Sequence, residues 1–455
     1  MKDNHYDAII IGFGKGGKTL ASKLAASGKR VAMIEMDKGM YGGTCINVGC
    51  IPSKSLVTSA SRLAPGLKGS EQDDAYRKAI EEKTRLTAML RQKNYDNLAK
   101  FDHATIYDGV ARFVGAKQLE VKTNDDTLLM TGEKIFINTG AAPRIPDIPG
   151  IRETPGVYTS EGLMALEELP RELVIIGAGY IGLEFASMYA AFGSRVTVIQ
   201  HNDAFLPRED EDVAAEIKKL LEAQGIQFLM NTQTTKVSSS PEGPILNLQR
   251  DGQDTQINVN AVLIATGRVP NTAALNCKAA GIALEQNGAV KTDAWLRSTA
   301  PDVWALGDAA GSAQHTYISL DDYRIVWSQL EGPNHPSRDR RTNVPYSVFL
   351  RTPYARVGMN EREAEKAGRA VRIAKLPVAA IPKAQVLQRP DGFLKAVMDA
   401  DSNQILGAML LCEESFEVIN IIKLAIDYGA DAATLRDQIF THPTMSEALN
   451  DLFAG

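Results

Sequence analysis

The 455-residue chain has only four cysteines and three tryptophans, and it has no excess of basic charge. Four cysteines cannot build a disulfide framework in a chain of this length, so a stapled secreted scaffold is excluded. Any chemically meaningful pair among them is expected to work in redox chemistry rather than to hold the fold. Lys plus Arg number 50 against 55 Asp plus Glu, a formal net charge of −5, which gives no electrostatic footprint for nucleic acid or an anionic membrane. No apolar run approaches the roughly 18 residues needed to span a bilayer. The opening MKDNHYDAIIIGFG carries Asp3 and Asp7, with a short apolar run where a signal peptide needs a basic start and a longer core. A cytoplasmic location is therefore expected. With 44% hydrophobic and 23% charged residues, disordered and collagen-like classes are excluded too, and the length suggests about three domains.

The chain does have an internal repeat. Residues 6–35 read as a buried apolar run, glycines at Gly12, Gly14 and Gly17, an amphipathic helix, and a second strand ending in Glu35. Residues 173–200 repeat that order with Gly177, Gly179 and Gly182 and end in Gln200. A lone G-x-G-x-x-G is weak, but here the strand–loop–helix context is met twice. The first glycine allows the tight turn, the second admits a pyrophosphate, and the third lets helix and strand pack closely. Two dinucleotide sites imply electron transfer between them, and a flavin with a nicotinamide is the economical pair. Glu35 stands where an acid would bind a ribose hydroxyl. Gln200, at the matching place, lacks the charge that would repel a 2′-phosphate. His201 beside it is either a further donor or an inert surface residue, and Arg208 is a more distant candidate. The second site leans toward NADPH, or tolerance of both nicotinamides.

Residues 56–105 read as helical and 106–140 as short strands with turns. The segment IFINTGAAPRIPDIPG, with Thr139, Gly140 and three prolines, marks a crossing between domains. The strand-then-Thr-Gly pattern returns in AVLIATGRVPN with Gly267, and VWALGDAAG is a further buried strand ending on Gly307 and Asp308. Residues 332–345 form a polar connection, and the remaining 110 or so alternate strands and helices.

Two of the four cysteines, Cys45 and Cys50, lie in GGTCINVGCIPSK, which begins at Gly42 and Gly43. C-x4-C is not the spacing of zinc ribbons or thioredoxin-like motifs, and no further ligand cluster accompanies it, so no metal site is expected. Cys45 near a helix start and Cys50 one to two turns along could close a small redox disulfide, and a helix N-terminus would favour a thiolate there. Two unrelated buried thiols would satisfy the spacing alone. The flavin-type opening thirty residues upstream favours the redox pair.

Taken together, GGTCINVGCIPSK, the two βαβ openings, the ATGR and ALGD segments and the C-terminal HPTMSE resemble the pyridine nucleotide–disulfide oxidoreductases. The resemblance covers the whole chain with its motifs in order. It implies an α/β fold: two Rossmann-like dinucleotide-binding domains plus a C-terminal α+β dimerisation domain. The expected division is an FAD-binding domain at 1–150 and 270–335, interrupted by an NAD(P)-binding domain at 151–269 and followed by a dimerisation domain at 336–455. FAD and NADPH or NADH are the implied cofactors, held by the repeat's glycines together with Glu35, Gly43, Thr44, Lys54, Thr139, Gly140, Tyr180, Gln200, His201, Gly267 and Asp308. The resemblance makes Cys45 the interchange thiol that meets the substrate and Cys50 the charge-transfer thiol beside the flavin. Lys54 and Glu184 match the ion pair near the flavin, and Tyr180 the gate over the nicotinamide. Asp308 matches the residue that binds the flavin's ribityl chain. His442 and Glu447 match the base and its orienting carboxylate, which reach the thiols of the other subunit and so imply a homodimer. His442 would keep Cys45 ionised and protonate the leaving group.

No cysteine follows Cys412, which disfavours mercuric reductases and large thioredoxin reductases, both of which carry a C-terminal pair. Cys277 and Cys412 read as structural or incidental. PSK after Cys50 is in the lipoamide-dehydrogenase style, although that enzyme usually has an acid where Gln200 stands. HTYISLDDYRIV, FLPRED, PYSVF, VAAIP and LRDQIFTHPTMSE resemble a bacterial flavoprotein group of reactive-chlorine resistance, described as hypothiocyanous acid reductases and copper(II) reductases. The expected activity is therefore reduction of a small oxidant, foremost hypothiocyanous acid, with copper(II) or mercuric ion reduction, dihydrolipoamide oxidation and a non-catalytic redox sensor as the alternatives.

Overall fold

The computed structural model describes residues 4–63, 67–332 and 336–455. The first glycine-rich opening becomes β1 (His5–Ile11), α1 (Lys15–Ala26) and β2 (Val31–Glu35). It is followed by α2 (Thr44–Asn47), α3 (Cys50–Ser61), α4 (Ser70–Ala99), β3 (Ala104–Gly115), β4 (Gln118–Thr123), β5 (Thr127–Ile137) and β6 (Ala141–Pro143). Strands β3, β2, β1 and β5 lie side by side in parallel. The residues of β2 are all buried, as expected for a parallel strand covered on both faces. β3 and β5 are longer than the short strands expected over 106–140, at 12 and 11 residues. Each pairs in both senses: β3 pairs first with β2 in parallel and then with β4 in antiparallel, and β4 pairs onward with the start of β5, whose later residues pair with β1 in parallel.

The second opening forms β7 (Val157–Tyr158), α5 (Ser160–Met164), β8 (Glu172–Ile176), α6 (Tyr180–Phe192), β9 (Arg195–Ile199), α7 (Glu211–Ala223) and β10 (Gln227–Leu229). An antiparallel trio follows, β11 (Thr232–Ser240), β12 (Gly243–Arg250) and β13 (Gln253–Asn258), then β14 (Ala261–Ile264) and β15 (Arg268–Pro270). Its parallel sheet has the order β10-β9-β8-β14-β7. β15 pairs with β6 as a two-stranded ribbon between the units. β16 (Val303–Ala305) then joins β5 in parallel, so the chain returns to its first sheet, and α8 (Thr316–Glu331) packs on α1.

The last unit contains β17 (Tyr346–Val348), β18 (Tyr354–Gly358), α9 (Glu361–Lys366), β19 (Val371–Pro377), α10 (Pro382–Leu387), β20 (Phe393–Asp399), β21 (Ile405–Leu411), α11 (Ser415–Asp427), α12 (Ala432–Arg436) and α13 (Ala448–Ala454). Its sheet is antiparallel, in the order β17-β18-β21-β20-β19. Of the expected connection over 332–345, residues 333–335 lie outside the described residues. The architecture is thus mixed α/β, with two dinucleotide-type units and an α+β unit. Among the described residues, no helix is long and apolar enough to cross a membrane.

Candidate active site

The two glycine loops are nearly superimposable in their chemistry. Gly12 and Gly177 have φ of +97° and +111°, and a Cβ on either would lie 2.4 Å from the Asn138 carbonyl oxygen or 2.6 Å from that of Ala265. Only glycine fits such a backbone at such an approach. Gly17 and Gly182 press their helices onto the loop, where a Cβ would sit 2.8 Å and 2.1 Å from the carbonyl oxygens of Gly12 and Gly177. At Gly179 a Cβ would meet nothing within 4 Å, so the protein itself does not require glycine there and the open space suits a ligand's phosphates. Gly14 differs, since its Cβ would strike the Asn138 side chain.

Glu35 Oε2 accepts the Phe13 N–H at 2.8 Å, and Oε1 accepts the Met36 N–H at 2.9 Å. Burial pushes this carboxyl up, and the backbone donors pull it back. Gln200 mirrors it: its Oε1 accepts the Ala178 N–H at 3.2 Å, while its Nε2 donates to Asn202 Oδ1. His201 and Arg208 are exposed. The Thr139 hydroxyl is buried with no hydrogen-bond partner among the described residues, a Cβ on Gly140 would meet only the Thr44 hydroxyl at 3.9 Å, and Gly43 packs on Gly14. Asp308 is poised beside Arg268, whose charge opposes the upward push of burial on the carboxyl. Gly267, at φ +106°, lies in the second Thr-Gly turn.

The cysteines do not share one helix, contrary to the expectation from spacing. Cys45 sits in α2 and Cys50 begins α3, because the chain breaks at Val48–Gly49, where a Gly49 Cβ would press on the Thr44 carbonyl oxygen at 2.9 Å. Both are free thiols, Cys45 half-buried and Cys50 exposed. Their charges are unequal. The Cys45 thiol donates to Cys50, which holds Cys50 below the ordinary thiol range, with Lys54 and Thr316 assisting against desolvation. The same hydrogen bond pushes Cys45 up. Within one subunit the charged form is therefore favoured at Cys50, at the N-terminus of α3.

Behind Cys50, Lys54 Nζ lies 2.6 Å from Glu184 Oε2 and 4.7 Å from the Phe349 ring centroid. The second Glu184 oxygen accepts the Phe349 N–H at 2.9 Å. This pair joins α3, α6 and the last unit. One turn before Glu184, the Tyr180 hydroxyl donates to Glu209, a fully buried carboxylate that also receives the hydroxyls of Tyr346 and Tyr354, each at 2.5 Å. Arg356 Nη1 stands 3.4 Å from the same group. Burial pushes all three tyrosines well up, so they are donors throughout the usual pH range. At the far end of the chain, His442 Nδ1 is 2.8 Å from Glu447 Oε2, and Glu447 Oε1 accepts the Thr444 N–H at 3.1 Å. His442 is largely exposed, and Glu447 is its hydrogen-bond partner among the described residues.

Several site residues escaped the sequence reading. Asn138 accepts the Gly17 N–H at 2.9 Å and donates to Leu306, and Ser319 receives the Gly16 N–H at 3.1 Å. Asp322, wholly buried, accepts the Gly307 N–H at 2.6 Å and pairs with Arg341. Thr316 Oγ1 lies 3.9 Å from Cys50 Sγ. Ser319 and Asp322 fall within HTYISLDDYRIV, and Glu209 and Tyr346 within FLPRED and PYSVF, strings singled out without a role for these members.

Comparison with known proteins agrees with this geometry. Residues 6–322 match the family described as "Pyridine nucleotide-disulphide oxidoreductase", and residues 344–453 match its dimerisation domain. The chain is 49% identical over 99% of both sequences to "Probable pyridine nucleotide-disulfide oxidoreductase RclA" of Escherichia coli (strain K12). It is 31% identical to a mercuric reductase of Staphylococcus aureus, covering 98% of this chain and 82% of that one. It is 30% identical to a dihydrolipoyl dehydrogenase of Geobacillus stearothermophilus, covering 97% and 94%. A solved structure described as the Cu(II) complex of the HOCl-induced flavoprotein disulfide reductase RclA from Escherichia coli matches with a TM-score of 0.94, at 48% identity and 99% coverage of both chains. The chain belongs to the pyridine nucleotide-disulphide oxidoreductase family, a family that works with FAD and NAD(P)H, and is a flavoprotein disulfide reductase similar to RclA.

Proposed function

We propose that this enzyme uses NAD(P)H, with NADPH preferred, to reduce a small electrophilic oxidant, foremost hypothiocyanous acid, through the Cys45–Cys50 pair. The observation that carries the reading is the pair itself, two free thiols on successive helices with the Lys54–Glu184 ion pair beside Cys50, whose interaction draws Cys50 below and pushes Cys45 above the ordinary thiol range. Similarity to an HOCl-induced reductase supports a role in oxidant defence.

A bound FAD supplies the two-electron relay that returns a Cys45–Cys50 disulfide to the dithiol. Cys45, deprotonated, attacks the sulfur of HO–SCN, and the S–O bond breaks. The departing hydroxide takes a proton and leaves as water, and Cys45 then carries a sulfenyl thiocyanate. The Cys50 thiolate attacks the Cys45 sulfur, forms the disulfide and releases thiocyanate. The sum is two thiols oxidised, one hypothiocyanous acid reduced, and water and thiocyanate formed. His442, oriented by Glu447, is the base that takes the Cys45 proton and returns it to the leaving group. Its exposure, with Glu447 as its hydrogen-bond partner among the described residues, and the match to a dimerisation domain support supply from the partner subunit, and hence a homodimer with shared sites. Tyr180, held by Glu209, guards the nicotinamide side. The domain division 1–150, 151–269, 270–335 and 336–455 belongs to the same reading, as does a cytoplasmic location.

Copper(II) is a second substrate reading. A reduced cysteine pair suits copper(I), and the solved RclA relative holds Cu(II). The test is NADPH and NADH turnover of the holoenzyme with hypothiocyanous acid, copper(II), lipoamide and glutathione disulfide. Rapid hypothiocyanous acid turnover that Cys45→Ser abolishes is expected. Efficient lipoamide turnover with negligible hypothiocyanous acid reduction would overturn the choice, and slow turnover with every acceptor would favour a redox sensor.

A further inference from the structure

The two thiols are served by different cations. Lys54 acts on Cys50 and is neutralised by Glu184 at 2.6 Å. Lys18, on α1, acts on Cys45, and each favours the charged form of the other. Lys18 Nζ donates to Asn94 Oδ1 at 2.5 Å and to the Gly42 carbonyl at 3.3 Å. Those acceptors are neutral oxygens. A second cation contacts the helix that carries Cys45: Arg91, from α4, donates through Nε at 2.8 Å to Asn47 Oδ1 at the end of that helix. Asn47 in turn donates to the carbonyls of Tyr41 and Gly43, which anchors Arg91 to the turn leading into Cys45. Both cations are half-buried, and the hydrogen-bond acceptors they meet among the described residues are neutral oxygens. Burial, with Lys15 nearby, draws the Lys18 ammonium down to about 8, and Cys45 opposes that shift.

We propose that Lys18 and Arg91 form an anion-recognising wall beside Cys45, which selects small substrates that arrive or depart as anions, the pseudohalides thiocyanate and hypthiocyanite among them. This deepens the function proposed above and rests on Cys45 being the thiol that meets the substrate. Bulky or cationic disulfides gain nothing from such a wall. A small oxidant whose products are an anion and water gains at both ends of the reaction, because the negative charge left near Cys45 is met by two preset positive ones.

The test uses NADPH-reduced holoenzyme and two alkylating probes of similar size, iodoacetate and iodoacetamide, with the modified cysteine identified by peptide mass. Lys18→Met and Arg91→Met should each lower the iodoacetate-to-iodoacetamide rate ratio at Cys45, and the double variant should lower it by about tenfold. Lys18→Arg and Arg91→Lys should restore most of it. In the unsubstituted enzyme, thiocyanate should slow iodoacetamide at Cys45 more than a neutral-pH sulfate control of equal ionic strength. An unchanged ratio in the double variant, or no protection by thiocyanate, overturns the wall. Alkylation confined to Cys50 overturns the assignment of Cys45 on which it rests. A lowered ratio in an enzyme that does not turn over hypothiocyanous acid sustains the wall and removes only that substrate.

Discussion

Replacing Cys45 by alanine removes the largest stabiliser of the Cys50 thiolate, the hydrogen bond from the neighbouring thiol. A hydrogen bond to a charged acceptor contributes about 1.5–3 kcal/mol, and about 1.4 kcal/mol corresponds to one pH unit, so the Cys50 midpoint should rise by roughly one to two pH units. The sign follows from which form is stabilised. The bond favours the thiolate, so without it the proton is held to higher pH and less thiolate is present near pH 7. Lys54 and Thr316 remain and keep Cys50 from behaving as a fully buried thiol. Serine at position 45 keeps a donor, so its effect should be smaller than alanine's. The assay is the pH dependence of iodoacetamide alkylation at Cys50 in each reduced variant, followed by peptide mass. Cys277 and Cys412 do not interfere, since burial pushes both thiols up, Cys412 to about 12. Equal midpoints in the alanine variant and the unsubstituted protein, or equal shifts for alanine and serine, would refute the reasoning.

Gly179→Ala should leave thermal stability nearly unchanged yet weaken NADPH binding, whereas Gly182→Ala should lower the melting temperature, because its methyl would sit 2.1 Å from the Gly177 carbonyl oxygen; calorimetry and nicotinamide titration separate the two. Gln200→Glu retains the acceptor for the Ala178 N–H but adds a charge, so the ratio of kcat/KM for NADPH over NADH should fall by about tenfold, and an unchanged ratio removes Gln200 from cofactor choice. Glu209→Gln leaves Tyr354 and Arg356 facing an amide in a buried site, and should destabilise the protein by about 2–4 kcal/mol, read as a lowered melting temperature; a loss under about 1 kcal/mol would mean the cluster relaxes freely.

The parts legible in the sequence are those whose cause is local. Gly12 and Gly177 need left-handed backbone at a strand end, Gly17 and Gly182 need a missing side chain at a helix start, and both requirements repeat at the same spacing. Glu35 and Gln200 close their units at a fixed distance along the chain. Cys45 and Cys50 were visible as a pair, yet their arrangement was misread, because Gly49 interrupts what looks like one helix. The lengths of β3 and β5 were also missed, since a strand that changes from a parallel to an antiparallel partner along its length differs from a shorter one only through its neighbours.

The amino-acid order by itself determined the family and the doubled dinucleotide architecture and singled out Cys45 and Cys50 as the candidate redox pair, because short-range spacing and backbone sterics write those features directly into the chain. Tertiary structure alone decided which thiol is drawn toward its charged form, since the answer depends on the Cys45 neighbour across a helix break and on Lys54 and Thr316, the latter 266 residues distant from Cys50. It also decided that Glu209 gathers Tyr180, Tyr346 and Tyr354. Lys18 and Arg91 reach the side of Cys45 in the same way, through helices distant in sequence, and a buried charge takes its meaning from the groups packed around it.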